Sequence, residues 1–351
     1  MLRIRPVASA DLAALLALAE AASVGLTTLP RDQELLRQRI EASLHGLRRG
    51  VRRPAGETYL FVLEDLLTGA VVGCAGIQAR VGGYEPFYTY EIRTTRKISK
   101  ELGFSKDIRS LHLAADHKGP TEIGTLFLHG TGRGQGAGRL LSLARFAFMA
   151  GFPERFDAEV IAEMRGVVDD RGRSPFWEAI GRHFFELDFA HADALSAADK
   201  QFIADLMPAH PIYIPMLPAS AQAVIGEVHP ETRPALRLLR QEGFTDGGRV
   251  DIFDAGPLVR AERVAIRTIA ASRVGPLARV TPAAEAGGDH LLSNDRLEFR
   301  ACLGPVEVDA DGGVALPRDV ALALELRLGD TVRFTPARGP AKAGEPRAPR
   351  P

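Results

Sequence analysis

A glycine-rich run, Gly130 to Gly138, carries the clearest chemical signal in the sequence. It follows an apolar segment (122–129) typical of a buried strand and precedes an amphipathic segment (139–150) typical of a helix. Free backbone N–H groups converge at such a turn, and the helix dipole favours negative charge there. Glycines let those N–H groups approach a phosphate without an intervening side chain. The run therefore predicts an anion-binding loop, with these candidate ligands: Arg133, Gly134, Gly136 and Gly138.

Two well-known phosphate-binding motifs fit this loop poorly. A Walker A loop ends in Gly-Lys-Ser/Thr, whereas this one ends in Gly138-Arg-Leu and lacks the hydroxyl that would hold magnesium. A dinucleotide-binding fingerprint could be aligned on Gly132, Gly134 and Ala137, with Asp157 about twenty residues further on. A hairpin meander precedes the loop, however, and not the opening of a βαβ unit, which argues against that interpretation.

A third motif, Arg/Gln-x-x-Gly-x-Gly/Ala, is met by Arg133-Gly-Gln-Gly136-Ala-Gly138. In this motif and its context the sequence resembles the GNAT acyltransferase superfamily. The resemblance implies that the loop wraps the pyrophosphate of an acyl-CoA. It also implies that the preceding strand splays from its neighbour, so that the pantetheine arm can enter and a backbone N–H can polarise the thioester carbonyl. Taken alone, the glycines would equally suit a plain mobile loop.

The elements around the loop predict an α+β fold, a mixed sheet flanked by helices. A strand at 2–7 precedes two amphipathic helices, and two strands within 58–81 form a hairpin ahead of the motif strand. Residues 82–120 show no sustained period and are predicted to be a long connection with strand pieces. Two helix-Gly-aromatic units, at 174–185 and 233–244, echo each other and predict two GNAT-like halves.

The domain boundaries follow from these patterns. We expect the first GNAT-like half, with the acyl-CoA motif, at 1–168 and the second at 169–277. Short strand-like segments separated by turns begin near Ala278 and predict a small β-rich appendage over 278–334. Residues 335–351 are rich in Pro, Ala, Gly and Arg and are expected to form a disordered tail.

Composition excludes several classes of protein. The 351 residues include 44 Lys plus Arg and 44 Asp plus Glu, so net charge offers no support for nucleic-acid or anionic-membrane binding. No apolar run reaches the roughly 18 residues that would cross a bilayer. Cys74 and Cys302 are the only cysteines, which excludes a disulfide framework and a zinc cluster. We therefore expect a cytoplasmic protein without a permanently bound cofactor or metal.

A narrower resemblance extends over residues 1 to about 275. The strings that carry it include Ala162-Glu-Met-Arg-Gly-Val167, Ser174-Pro-Phe-Trp177, Leu206-Met-Pro-Ala-His-Pro-Ile-Tyr213, Ile225-Gly-Glu-Val-His-Pro-Glu-Thr232 and Asp251-Ile-Phe-Asp-Ala-Gly-Pro257. In these the sequence is similar to the arginine N-succinyltransferase family, which opens the succinyltransferase route of arginine catabolism. The glycine loop departs from the more polar, proline-containing run expected in that family.

The family resemblance implies roles for two residues. A histidine of the family is the proton donor and matches His229, and a leucine of the motif strand that contacts succinyl-CoA matches Leu126. The implied reaction is direct attack of the α-amine of L-arginine on succinyl-CoA, with a thiolate leaving that needs a proton. A histidine can supply one because its reference pKa is near 6.5. Read alone, His229 would equally suit an exposed histidine at a helix start.

Further candidates are less specific. The substrate guanidinium needs carboxylates, with Glu159, Glu163 and Asp251 as candidates, and the succinyl carboxylate needs an arginine, with Arg80 and Arg165 as candidates. The sequence contains no Gly-x-Ser-x-Gly elbow, and neither cysteine lies in a nucleophile motif, so covalent catalysis is not expected.

Three functional hypotheses therefore stand. The first is an arginine N-succinyltransferase. The second is a non-catalytic or regulatory GNAT-like subunit of a heteromeric succinyltransferase, and the third is the same fold acting on ornithine. The resemblance also implies a homo-oligomer or a hetero-oligomer with a sister subunit.

Overall fold

The computed structural model describes residues 1–22, 26, 28–196, 201–283 and 289–339. The strands in these residues are β1 (Leu2–Pro6), β2 (Thr58–Asp65), β3 (Val71–Gln78), β4 (Phe87–Ser99), β5 (Phe104–Asp116), β6 (Thr121–Leu128), β7 (Glu159–Glu163), β8 (Ile212–Tyr213), β9 (Thr245–Val250), β10 (Pro257–Glu262), β11 (Arg273–Thr281), β12 (His290–Asn294), β13 (Ala301–Gly304), β14 (Glu307–Val308), β15 (Val314–Pro317) and β16 (Thr331–Pro336). The helices are α1 (Leu12–Ala21), α2 (Gln33–Arg48), α3 (Ala137–Gly151), α4 (Pro175–Ala179), α5 (Gly181–Phe185), α6 (Phe189–Ser196), α7 (Gln201–Leu206), α8 (Ala219–Gln222), α9 (Arg233–Gln241), α10 (Arg267–Ala270) and α11 (Arg318–Ala323).

These strands form one mixed sheet, which confirms the α+β class. Its order is β14-β15-β11-β16-β12-β13-β1-β2-β3-β6-β7-β10-β9-β4-β5-β8. In the middle of the sheet, β6 and β7 run parallel while their other neighbours are antiparallel. The chain order expected from the GNAT resemblance is therefore present: strand, two helices, hairpin, motif strand, loop, helix and strand.

Helices cover both faces of this sheet because its central strands are apolar on both sides. Along β2, Tyr59 and Phe61 pack under α3 with Phe148, while the alternate residues Leu60 and Val62 pack under α1 and α2. Because successive side chains of a strand point to opposite faces, β2 contributes residues to two separate hydrophobic cores. Helix α3, which follows the glycine loop, is consequently held firmly against the sheet.

Within residues 169–277, where a second GNAT-like half is predicted, the described strands belong to the same sheet as the rest of the chain. Strands β9 and β10 add to the same sheet beside β7, with Leu258 opposite Glu163, and the short helices α4–α8 fill the connection before α9. The two echoing segments share only helix signals: a proline in the first turn of α4 and of α9, and a glycine after each helix. Such signals start and stop helices in any fold, so the echo by itself carries no information about a duplication.

Two expectations need correction. Residues 82–120 hold a hairpin of two 13-residue strands, β4 and β5, because the segment alternates weakly but pairs with itself along its whole length. Strand β16 continues to Pro336, so the disordered tail does not begin at 335: Thr335 is buried, and the Ala337 N–H donates to the Asp289 carbonyl at 2.7 Å. The predicted tail from 340 onward lies outside the described residues.

Candidate active site

The glycine loop leaves its backbone open to solvent. Gly130, Arg133, Gly134 and Gly136 are exposed, and Gly138 lies in the first turn of α3. Among the described residues, no backbone carbonyl accepts a hydrogen bond from the N–H groups of Gly134, Gly136 or Gly138. These donors lie at the positive end of a 15-residue helix, which is the arrangement that binds phosphate.

Two glycines in this loop are required by its shape. Gly134 and Gly136 have φ angles of 108° and 76°, in the region that side chains disfavour. A Cβ on Gly136 would also lie 2.8 Å from Leu303 Cδ1. Gly138 differs, since a Cβ there would make an ordinary contact of 3.8 Å with Leu128.

The strand before the loop separates from its neighbour, as the resemblance implied. Strands β6 and β7 pair only at Thr121 with Val160 and at Glu122 with Ile161, although β6 continues to Leu128. A gap therefore opens along the second half of β6, and it leads toward the glycine loop.

A bulge on β6 turns one peptide toward this gap. Thr125 has a φ of 52°, and the register against β3 shifts between Cys74 and Gly76. Gly76 is needed there, because a Cβ on it would lie 2.8 Å from Thr125 Oγ1. The Thr125 carbonyl accepts from Cys74 Sγ (3.4 Å) and so points toward β3. In a trans peptide the next N–H points the opposite way, so the Leu126 N–H faces the gap.

His229 lies beyond the end of β7. Its backbone N–H donates to the Arg165 carbonyl at 2.9 Å, and its side chain is 14% exposed. Its Nδ1 accepts from the Glu231 N–H at 3.3 Å, capping the turn that leads into α9. Because Nδ1 is the acceptor, the neutral ring carries its proton on Nε2.

The surroundings of His229 favour the neutral ring. Burial lowers the pKa of His229 below the ordinary value of 6.5, the Arg165 charge lowers it further, and Glu231 opposes both effects. Arg165 Nη1 in turn lies 3.3 Å from a carboxylate oxygen of Glu231. The imidazole therefore starts a reaction at neutral pH without an extra proton and can accept one.

A cavity of about 650 Å³ crosses the sheet on the α2 face, from β2 to the turn between β9 and β10. Arg39 and Arg80 line it toward β3, whereas Glu163, Asp193 and Asp251 line it toward β7 and beyond. Gly124 and Thr125 lie between these ends, at the bulge of β6. The cavity thus has arginines toward β3 and carboxylates toward β7, with Glu122 and the bulge of β6 between them.

The predicted site residues divide into two groups. Glu163, Asp251 and Arg80 line the cavity, whereas Glu159 is paired with Arg260 at 3.3 Å and is not among the lining residues. Leu126, His229 and the glycine loop lie outside the lining as well. Leu126 is on the part of β6 that does not pair with β7, the loop follows that strand, and His229 contacts Arg165 beyond the end of β7. Sequence reasoning missed Arg39, Thr125 and Asp193, which belong to no motif and meet only through the fold.

The described ranges contain neither a metal-binding cluster nor a membrane-spanning helix. No group of three or more His, Cys, Asp or Glu side chains is placed to hold a metal ion. No helix there is long and apolar enough to span a membrane.

A strand that splays at a bulge, a glycine loop and a helix N-terminus define an acyltransferase of the GNAT type. Comparison with known proteins narrows this class. The family model described as arginine N-succinyltransferase beta subunit matches residues 2–268, and the model of that subunit's C-terminal domain matches 273–336. The chain belongs to the arginine N-succinyltransferase family.

Individual relatives agree with this assignment. The chain is 44% identical to "Arginine N-succinyltransferase subunit beta" of Pseudomonas aeruginosa over 95% of its own length and 97% of the relative's. It is 43% identical to "Arginine N-succinyltransferase" of Enterobacter sp. strain 638, with the same coverage of both chains. The solved structure of arginine/ornithine succinyltransferase subunit AI from Pseudomonas aeruginosa superposes with a TM-score of 0.87 at 36% identity, covering 97% of this chain and 99% of that one.

Proposed function

We propose that this protein transfers the succinyl group of succinyl-CoA to the α-amine of L-arginine. The observation that carries the proposal is the β6–β7 gap, which connects the anion-binding loop to a cavity lined by both signs of charge. Arginine carries an α-carboxylate and a guanidinium, so a cavity with cations at one end and carboxylates at the other suits it. Succinyl-CoA is a co-substrate in this proposal, and no permanently bound cofactor is needed.

The cofactor half of the site would work through backbone groups. The N–H groups of Gly134, Gly136 and Gly138 receive the pyrophosphate, with Arg133 beside them, and the pantetheine arm runs along the gap. This brings the thioester to the bulge at Thr125 and Leu126. The Leu126 N–H then donates to the carbonyl oxygen as it gains negative charge, which stabilises the tetrahedral intermediate.

Proton movement in this proposal passes through His229. The neutral α-amine attacks the thioester carbon, and the N–C bond forms while the oxygen takes up negative charge. Neutral His229 accepts the proton that the new ammonium loses, since its pKa is held below 6.5. As the C–S bond breaks, the imidazolium returns that proton to the CoA thiolate. The net change is one proton moved from amine to sulfur, and no enzyme group is consumed.

The test of the proposal is turnover by the purified chain. The chain is incubated with succinyl-CoA and L-arginine, and free thiol is followed with a chromogenic disulfide. We expect arginine-dependent thiol release and a product that carries succinate on the α-nitrogen. If the chain alone is inactive but becomes active with a sister subunit, then the hypothesis of a non-catalytic subunit replaces this one.

An amine panel separates the remaining alternatives. Arginine, ornithine and lysine are compared with succinyl-CoA and with acetyl-CoA as donors. We expect arginine with succinyl-CoA to give the highest kcat/KM, and a preference for ornithine would contradict the proposed substrate. Because two relatives are named as subunits, we also propose that this protein assembles with further copies of itself or with a sister chain. Sedimentation of the purified protein tests for assembly with further copies of itself. The buried, unpaired thiols of Cys74 and Cys302 support a reducing, cytoplasmic location.

A further inference from the structure

Asp193 is a carboxylate without a hydrogen-bond donor among the described residues. It lies on α6, is partly buried and lines the cavity. Among the described residues no side chain and no backbone N–H donates a hydrogen bond to its carboxylate. A buried polar group normally has such a partner, and leaving one without it costs free energy. A ligand in the cavity can supply such donors.

The neighbours of Asp193 repel its charge. Burial raises the pKa of Asp251, and burial together with the charges of Asp251 and Asp193 raises the pKa of Asp254. Burial and the charge of Asp251 raise the pKa of Asp193 to about 7, with Arg165 as the opposing cation. Arg165 also pairs with Glu231, so negative charge is in excess at this end of the cavity. A cation bound there would reduce the repulsion between these carboxylates.

The two other aspartates differ in how far their oxygens are already used. Asp254 accepts from the N–H groups of Gly166 (2.6 Å) and Gly256 (2.8 Å), one on each oxygen, and is not among the lining residues. Asp251 lines the cavity and uses Oδ1 for the N–H groups of Phe253 and Asp254. Asp193 and Asp251 are therefore the pair that can face a ligand.

The walls beside this pair suit a planar cation. Phe253 and Tyr88 line the cavity, and the Phe253 ring is held by Trp177, with centroids 5.4 Å apart. A guanidinium is planar, carries five N–H donors and packs against aromatic faces more readily than an ammonium. Carboxylates from two different elements can each take an edge of it.

We propose that Asp193 and Asp251 bind the guanidinium of the acceptor substrate and select arginine over neutral or shorter amines. This inference deepens the proposed function and rests on it. The α-carbon of the acceptor then lies near the bulge of β6, and its carboxylate points toward Arg39 and Arg80. Asp193 acts as a specificity residue that no sequence motif indicates.

The experiment compares Asp193→Asn with the wild type, using arginine and its neutral isostere citrulline. We expect the KM for arginine to rise about 10- to 100-fold, as the loss of hydrogen bonds to a charged group would produce. The KM for succinyl-CoA should stay within about twofold. The arginine-to-citrulline preference in kcat/KM should fall by the same 10- to 100-fold. Asp251→Asn, which keeps an oxygen for the turn, should show the same pattern.

Asp107→Asn is the matched control, because it removes one charge on exposed β5, where Asp107 pairs with Arg96 at 3.7 Å. It should change neither KM. A preference for arginine that survives both Asp193→Asn and Asp251→Asn would overturn the proposal.

A binding measurement separates this proposal from the proposed reaction. With CoA present and no acyl donor, arginine should raise the Tm of the wild type, and Asp193→Asn should lose this rise while keeping the rise caused by CoA. The ligand-free Tm of Asp193→Asn should equal or exceed that of the wild type, since one of several repelling charges is removed. A marked fall would show a structural role instead and overturn the proposal. If the wild type bound arginine in this way without transferring succinate, the subsite would stand and the proposed function would fail.

Discussion

The glycine loop and the charged cavity are built from the chain in opposite ways. The loop is nine consecutive residues, and its chemistry lies in backbone N–H groups presented by a strand, a turn and a helix that follow one another. The cavity takes its charged side chains from α2, β6, β7, α6, the segments after β3 and before β4, and the turn after β9. One site is local and depends on conformation, whereas the other is long-range and depends on side chains.

This difference has a functional consequence. Backbone donors recognise what every acyl-CoA shares, a pyrophosphate and a thioester, and they are insensitive to the acceptor. Side chains such as Asp193 and Arg39 carry acceptor specificity, and they can change without disturbing the loop. His229 is electrostatically linked to the cavity, since Arg165 contributes charge both to it and to Asp193.

The largest expected effect is at His229, the proposed proton-transferring residue. His229→Ala should lower kcat about 10²- to 10⁴-fold, the usual contribution of one proton-transferring group. Both KM values should change little, because the residue acts on charge that develops in the transition state. Steady-state kinetics with each substrate varied in turn measures this.

The control for that experiment is His229→Asn. An amide oxygen can still accept the Glu231 N–H and keep the cap, but it cannot transfer a proton near neutral pH. The Asn variant should therefore melt like the wild type and be as slow as the Ala variant. A folded His229→Asn enzyme with near-normal kcat would remove His229 from the mechanism.

The same contrast explains how much the sequence could predict. The order β6, loop, α3 followed from apolar periodicity and glycine spacing, because each signal is local. The identity of the family followed from long strings such as Ile225–Thr232. Asp193 could not be predicted, since it reaches Asp251 only when α6 folds back across the sheet. The predicted duplication relies on capping signals in α4 and α9, which are local and contain no information about topology.

The next effect tests the loop alone. Gly134→Ala should raise the KM for succinyl-CoA about tenfold or more and leave the KM for arginine near its wild-type value. Its φ of 108° would be strained by a side chain, and the displaced N–H groups would lose charged hydrogen bonds to phosphate. Gly138→Ala makes the same chemical change where a Cβ fits, and should change the KM little. Equal effects of Gly134→Ala on both substrates would contradict the separation of the two regions.

The pH profile sharpens the role of His229. Since its pKa is lowered, the ring is protonated only below about pH 6.5, and the proposed cycle needs it neutral at the start. Deprotonation of His229 should raise kcat/KM with increasing pH, and this part of the rise should be complete above the pKa of the ring. The acceptor amine adds its own, higher inflection, which His229→Ala should retain while losing the lower one. Activity that falls as pH rises through the lower inflection would mean that the cycle starts from a protonated His229.

The smallest expected effect on catalysis is at the C-terminal edge, which is part of neither the loop nor the cavity lining. Truncation after Phe334 removes the pairing of β16 with β12 at Thr335 and Pro336 and the bond from Ala337 to Asp289. It also removes the carbonyls that Arg139 and Arg267 bind at 3.1 Å and 2.8 Å. At about 1 kcal/mol for each hydrogen bond, Tm should fall by roughly 5 °C or more.

Truncation after Gly339 is the control. It keeps all of these contacts and should leave Tm within about 1 °C of the full chain, as the composition of the removed residues predicts. Both KM values should stay unchanged in either variant at 25 °C, because neither cut touches the loop or the cavity. If only the truncation after Phe334 raised the KM for succinyl-CoA, the loss of the Ala337 carbonyl that Arg139 binds in the first turn of α3 would have disturbed the glycine loop.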